Sequence, residues 1–186
     1  MNQSECLTAD WQAVGYEDGA RGQPLSFIGK HRKACAKHGV APDMAKYDAG
    51  RHAGLQEFCT PGNGFSQGRS GKPLRGVCPT NLAIDYNRAY QQGRRIYVAA
   101  ASVRTIQNDI EKQETHLADI EQRIADTEEQ LVSDGLQSHT RRELLDELKA
   151  LTYDYELAER KLVALGQHLN HEQRNFDTLA STANWW

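Results

Sequence analysis

Residues 96–131 read IYVAAASVRTIQNDIEKQETHLADIEQRIADTEEQL. Ile96, Val103, Ile110, Leu117, Ile124 and Leu131 recur every seven positions, with Ala99, Ile106, Gln113, Ile120 and Thr127 filling the seam between them. After Ser133-Asp134-Gly135 the rhythm resumes at Leu144, Leu148, Leu151, Tyr155, Ala158, Leu162, Leu165, Leu169, Phe176 and Leu179. Apolar a/d spacing sustained over so many heptads is a specific coiled-coil signal. The break predicts a turn near 133–139. Gly135 supplies the left-handed residue that ends a helix, and Thr140 to Glu143 has the spacing of a capping box for the next one. Residues 81–186 therefore read as an antiparallel helical hairpin with arms of roughly 65 Å at ~1.5 Å per residue. No further amphipathic helix of matching length is present to complete a compact bundle. Gln113 and Thr127 soften a seam otherwise made by residues such as Ile110, Leu117, Ile124, Leu151 and Leu162.

The chain before residue 80 is of another kind. It holds all five prolines, twelve of the fifteen glycines, and all four cysteines. Residues 1–95 carry 13 Lys/Arg against 8 Asp/Glu, whereas residues 96–186 carry 9 against 17. A basic head at 1–80 thus precedes an acidic helical pair, within an overall charge of −3. Leu, Ile, Val and Phe number only eleven in the first eighty positions, so the head needs staples. Cys6, Cys35, Cys59 and Cys78 supply them if they form two disulfides, which implies an oxidising compartment. Zinc is the competing reading, but its paired C-x-x-C spacing is absent. Of three connectivities, Cys6–Cys35 with Cys59–Cys78 is favoured, each closing around one glycine-rich segment. The expected fold is all-α: a small disulfide-stapled helical head and a long antiparallel coiled-coil hairpin. No metal or cofactor is expected. No secretory signal or membrane-spanning run appears, and Met1 is read as standing just after a removed targeting segment.

An aromatic-x-x-Gly unit followed by a further glycine recurs in the head. It reads Tyr16 to Gly19 with Gly22, Tyr47 to Gly50 with Gly54, Phe65 to Gly68 with Gly71, and in part Tyr90 to Gly93. Asp43 after Pro42 reads as an N-cap for a helix carrying Met44, Tyr47, Leu55 and Phe58. Pro24 reads as the opening of another, ended at Gly39, that carries Leu25, Ile28 and Cys35 inward. Gly62-Asn63-Gly64 and Arg69 to Pro73 read as loop. Glycine inside helices costs about 1 kcal/mol against alanine, so its repeated use points to close backbone approach.

Candidate binding residues follow from this pattern: Tyr16, Asp18, Tyr47, Asp48 and Arg51 beside the repeats, and the cations Lys30, Arg32, Lys33 and Lys37 in one short segment. Arg69, Lys72 and Arg75 follow in the loop, and Arg94-Arg95 comes later. Such a surface attracts anionic lipid, glycan or an acidic protein. Nucleic acid is a poor fit for an acidic chain. Asp18, Asp48 and Asp85 with His31, His38 and His52 are the groups acid–base chemistry would need, but capping and solvation account for them more simply. With no H-E-x-x-H, G-x-S-x-G or P-loop pattern, the chain is not read as an enzyme. Trp185-Trp186 is expected to dock on the head.

The order Asp10-Trp11, Gly15 to Gly19, His31 to Cys35, Pro42-Asp43, Tyr47 to Arg51, Gly54-Leu55, Cys59 to Gly64, Gly76 to Pro79 and Tyr90 to Gly93 resembles a family of uncharacterised Gram-negative envelope lipoproteins. That family is catalogued as a domain of unknown function, and the resemblance covers roughly residues 5–100. It implies a periplasmic protein lipid-anchored to the outer membrane through a cysteine upstream of this region. It transfers no catalytic residues. The resulting expectation is an envelope adaptor whose head lies near the membrane and whose hairpin contacts a protein partner or a second copy of itself. A cell-wall glycan enzyme, or an inhibitor or immunity protein of a periplasmic toxin or hydrolase, is the alternative.

Overall fold

The computed structural model describes residues 2–183, which are helical with no strand among them. They form α1 (Gln3–Leu7), α2 (Trp11–Ala20), a 3-10 turn (Leu25–Phe27), α3 (Ile28–Ala36), α4 (Met44–Phe58), α5 (Pro61–Arg69), α6 (Thr80–Leu131) and α7 (Ser138–Thr182). Two compact units result, one running to Val98 and including the chain from Leu179, the other comprising residues 99–178. The first unit, the head, thus extends beyond residue 80. The opening turns of α6 belong to it because they are the packing partner of α5. Trp185 and Trp186, expected to dock on the head, lie outside the described residues.

The starts of α1, α2, α4 and α5 are set by side-chain caps, each satisfying amides that have no partner inside the helix. Asn2 and Glu5 form a capping box on α1, both bonds at 2.8 Å. Asp10 accepts from the Gln12 and Ala13 amides at 3.0 and 3.2 Å, and Asp43 from the Lys46 amide at 3.0 Å. Thr60 caps α5 at 3.3 Å with Pro61 at its first turn. The expected loop at Gly62-Asn63-Gly64 is therefore helix. Cap and proline outweigh the helical cost of three glycines because two of those glycines are packing contacts. Disulfides join Cys6 to Cys35 and Cys59 to Cys78.

Glycine lets α2 and α4 approach backbone to backbone. A methyl group on Gly15 would lie 2.0 Å from the Tyr47 carbonyl oxygen, and one on Gly50 would lie 1.9 Å from that of Gln12. Gly19 meets Arg51 and Gly54 meets Tyr16 in the same way. Two small-x-x-x-small stripes thus face each other, the arrangement that allows the closest helix approach. The same contacts recur between α5 and α6, where Gly68 meets the Tyr90 carbonyl and Gly93 that of Phe65. The turns after the first helix of each pair also match. Arg51 Nε donates to the Gln23 carbonyl at 2.9 Å, and Tyr90 Oη to that of Lys72 at 2.7 Å. Gly22, at φ +63°, faces the Phe58 ring, and Gly71, at φ +71°, faces that of Tyr97. Only glycine adopts these backbone angles without strain while leaving room for a ring.

In the second unit α6 and α7 lie side by side along an apolar seam. Leu117, Ile120, Leu151 and Ala158 form its core, with Ile124, Tyr155 and Leu162 packed against them, while Ile110 is half-buried. Gln113 Nε2 donates to the Ala158 carbonyl at 3.2 Å, Tyr155 Oη to Glu121 at 2.9 Å, and Arg123 faces Glu147 at 3.8 Å. Numbers on α7 fall as those on α6 rise, so the helices are antiparallel. Gly135 takes φ +80° in the turn. The capping box expected at Thr140 to Glu143 is not the helix start, because α7 opens at Ser138. Thr140 lies within its first turn, and Glu143 faces His139 at 3.3 Å. Arg141 instead reaches back to the Leu131 carbonyl at 3.2 Å, satisfying an acceptor at the end of α6.

Candidate functional site

The strongest concentration of buried polar chemistry in the head lies among α2, α3 and α4. Asp18 is 4% exposed. One of its carboxylate oxygens accepts from Tyr47 Oη at 2.7 Å and lies 2.8 Å from His31 Nε2. His31 is held among aromatic rings, edge-on to Phe27 and Trp11 with centroids 5.7 and 6.5 Å away and tilted against Tyr47 at 6.2 Å. Beneath lies the apolar cluster of Cys6, Trp11, Ile28, Cys35 and Tyr47. Burial of the phenol, then its bond to Asp18 and the charge of that carboxylate, push the Tyr47 pKa far above the usual value near 10. Tyr47 therefore stays protonated and donates.

Asp18, Tyr47 and Arg51, expected as binding residues, lie inside the fold. Asp18 gathers donors from two other helices, and Arg51 carries its charge to the turn at Gln23. A buried charge needs such partners, or its desolvation goes unmet. Tyr16 is half-buried and bonds the Glu57 carboxylate. Asp48 and His52 are exposed, one turn apart on α4, and line a shallow groove with Leu25, Met44, Ala45 and Ala49. The structure does not bring Asp18 and Asp48 to a common site: one is enclosed, the other faces solvent. Asp85 is engaged locally with Arg88 at 3.0 Å.

The arrangement provides no free thiol. All four cysteines are bonded, and no cluster of three or more His, Cys, Asp or Glu suited to a metal occurs among the described residues. On the surface, Lys30, Arg32 and Lys33 of α3 and Lys37 just after it are all exposed. Lys30 Nζ sits 4.3 Å from the centre of the Phe27 ring.

Sequence reasoning missed Trp11 as a wall of the cluster and Arg51 as an internal tie. The signal for the crossings was present in Gly15-x-x-x-Gly19, Gly50-x-x-x-Gly54 and Gly64-x-x-x-Gly68, a spacing that puts both small residues on one helix face. No curated protein and no solved structure matches the chain. Residues 10–95 match the model of a family described as Protein of unknown function (DUF2799). That segment spans both glycine crossings and ends before residues 99–178, so the similarity to this family lies in the head.

Proposed function

We propose that the protein is an interaction protein of the periplasmic envelope. Its head lies near the membrane, and its helix pair is a coiled-coil docking arm for a protein partner or a second copy. The observation that carries this reading is the incomplete burial of the α7 seam. Leu144, Leu148, Leu162, Leu165, Leu169 and Phe176 are each only half-buried, as expected when two helices have one shared side and no third helix covers its margins. Two disulfides support an oxidising compartment. No described helix is long and apolar enough to cross a membrane.

The test is crosslinking in intact envelopes, comparing the full chain with its Leu162→Asp variant. A docking arm predicts that the variant loses its crosslinked partners while both disulfides form normally. An unchanged set of crosslinked proteins would overturn the reading.

A further inference from the structure

We infer that the exposed face of α3 is a binding surface for anionic lipid headgroups. From residue 19 to residue 42 the chain contains no Asp or Glu, yet it contains Arg21, Lys30, Arg32, Lys33 and Lys37. Several other cations, Arg21 among them, have a carboxylate beside them. Arg21, Lys46, Arg88, Lys112, Arg123 and Lys149 each lie within 4.0 Å of one. Lys30, Arg32, Lys33 and Lys37, in α3 and at its C-terminal cap, enter no ion pair among the described residues. Lys30, Lys33 and Lys37 follow helical spacing on the side opposite Ile28 and Cys35, whose side chains are buried. The protein thus presents a short row of uncompensated point charges on a rigid element.

Apolar residues left outside in the same part of the head favour a lipid surface over a soluble acidic partner. Leu25, in the turn leading into α3, is 43% exposed, and Met44, which shares its groove, is 46% exposed. Leu7 is 66% exposed next to Cys6, which is bonded to Cys35 of α3. Single aliphatic side chains beside lysines are the composition of an interfacial surface, where ammonium groups meet phosphates and the aliphatics enter the headgroup boundary. This deepens the envelope reading at the head and takes its location from that reading.

The experiment is co-sedimentation of the purified full chain with phosphatidylcholine vesicles, alone or with about a third phosphatidylglycerol. Binding is expected only with the anionic lipid and is expected to weaken with salt. Lys30→Gln/Lys33→Gln/Lys37→Gln should bind about 100-fold more weakly, at about fivefold per lysine. Lys33→Gln/Lys37→Gln, which leaves the Lys30–Phe27 contact in place, should lose about 25-fold on the same basis. Lys112→Gln/Lys149→Gln/Lys161→Gln should bind as the natural chain does. Equal binding to both vesicle types, or unweakened binding by both α3 variants, overturns the inference. So does binding to soluble polyglutamate without binding to vesicles, which would assign the surface to an acidic protein. None of these outcomes bears on crosslinking through residues 99–178, so the two readings fail separately.

Discussion

In the head, helices meet backbone to backbone, whereas in residues 99–178 they meet through interlocking side chains. Gly50 leaves no room for a methyl group against the Gln12 carbonyl, while Gly166 of α7 has open space where its side chain would stand. The same residue type is therefore a packing requirement in one unit and a helix weakness in the other. Close approach spares the head the large apolar side chains its sequence lacks, but it ties stability to a few carbonyl contacts and to the polar network between the helices. The longer pair distributes its stability along many half-buried side chains.

The sharpest break in that comparison comes from Gly50→Ala, which should cost about 4 kcal/mol or more, or abolish folding of the head, because neither backbone can yield. Gly166→Ala should instead raise stability by up to about 1 kcal/mol. Denaturant titration of both variants checks the pair, and equal effects would dissolve the distinction. Next in size, Leu151→Ala should cost about 2–4 kcal/mol and speed amide hydrogen exchange within 99–178. The amides of α2 and α4 should keep their protection; general acceleration would mean that the two units open together.

A smaller effect is expected from Tyr47→Phe, about 1–3 kcal/mol through the lost bond to a buried carboxylate. It also has a pH signature. The folded Tyr47 pKa is raised, so its contribution is full below the unfolded value near 10 and is lost as pH rises from there toward the folded value. Stability of the natural chain should thus fall above about pH 10, by at most ~1.4 kcal/mol per pH unit for this group. Tyr47→Phe should flatten that decline, and an unaltered alkaline slope would exclude Tyr47 as its source.

The two units also differ in how legible they were. The seam of residues 96–179 could be read because a helix with one apolar face repeats with the helical period. The head hides its packing faces. Between α2 and α4 the contact surface is glycine with enclosed Asp18 and Arg51, so apolar periodicity is nearly absent there. Gly62-Asn63-Gly64 reads as loop by propensity, since the gain that offsets the glycines of α5 lies on a distant segment, at Tyr86 and Tyr90. The repeated aromatic-x-x-Gly unit did register, but only the structure separates its copies. Tyr16 and Phe65 occupy equivalent places in the two crossings, and Tyr47 corresponds to Tyr86 rather than to Tyr90. Of the candidate site, the exposed lysines of α3 were visible as a charge run, whereas the meeting of Asp18 with His31 and Tyr47 depends on three helices converging.

The doubled crossing has a consequence for how the chain finds itself. A molecule that carries nearly the same interlocking surface twice offers each helix a wrong mate, so α2 can compete with α5 for the partner either one needs. Mispairing of this kind would entangle the halves and expose backbone that neither false partner covers. The cysteine pairs are local, and neither encloses a whole crossing. Cys6–Cys35 closes a loop of sequence separation 29 within the first half, and Cys59–Cys78 one of separation 19 around α5. Taken together, these two loops close at a smaller entropic cost than either crosswise set. The disulfides thus hold local loops, while the pairing of α2 with α4 and of α5 with α6 rests on the glycine contacts themselves.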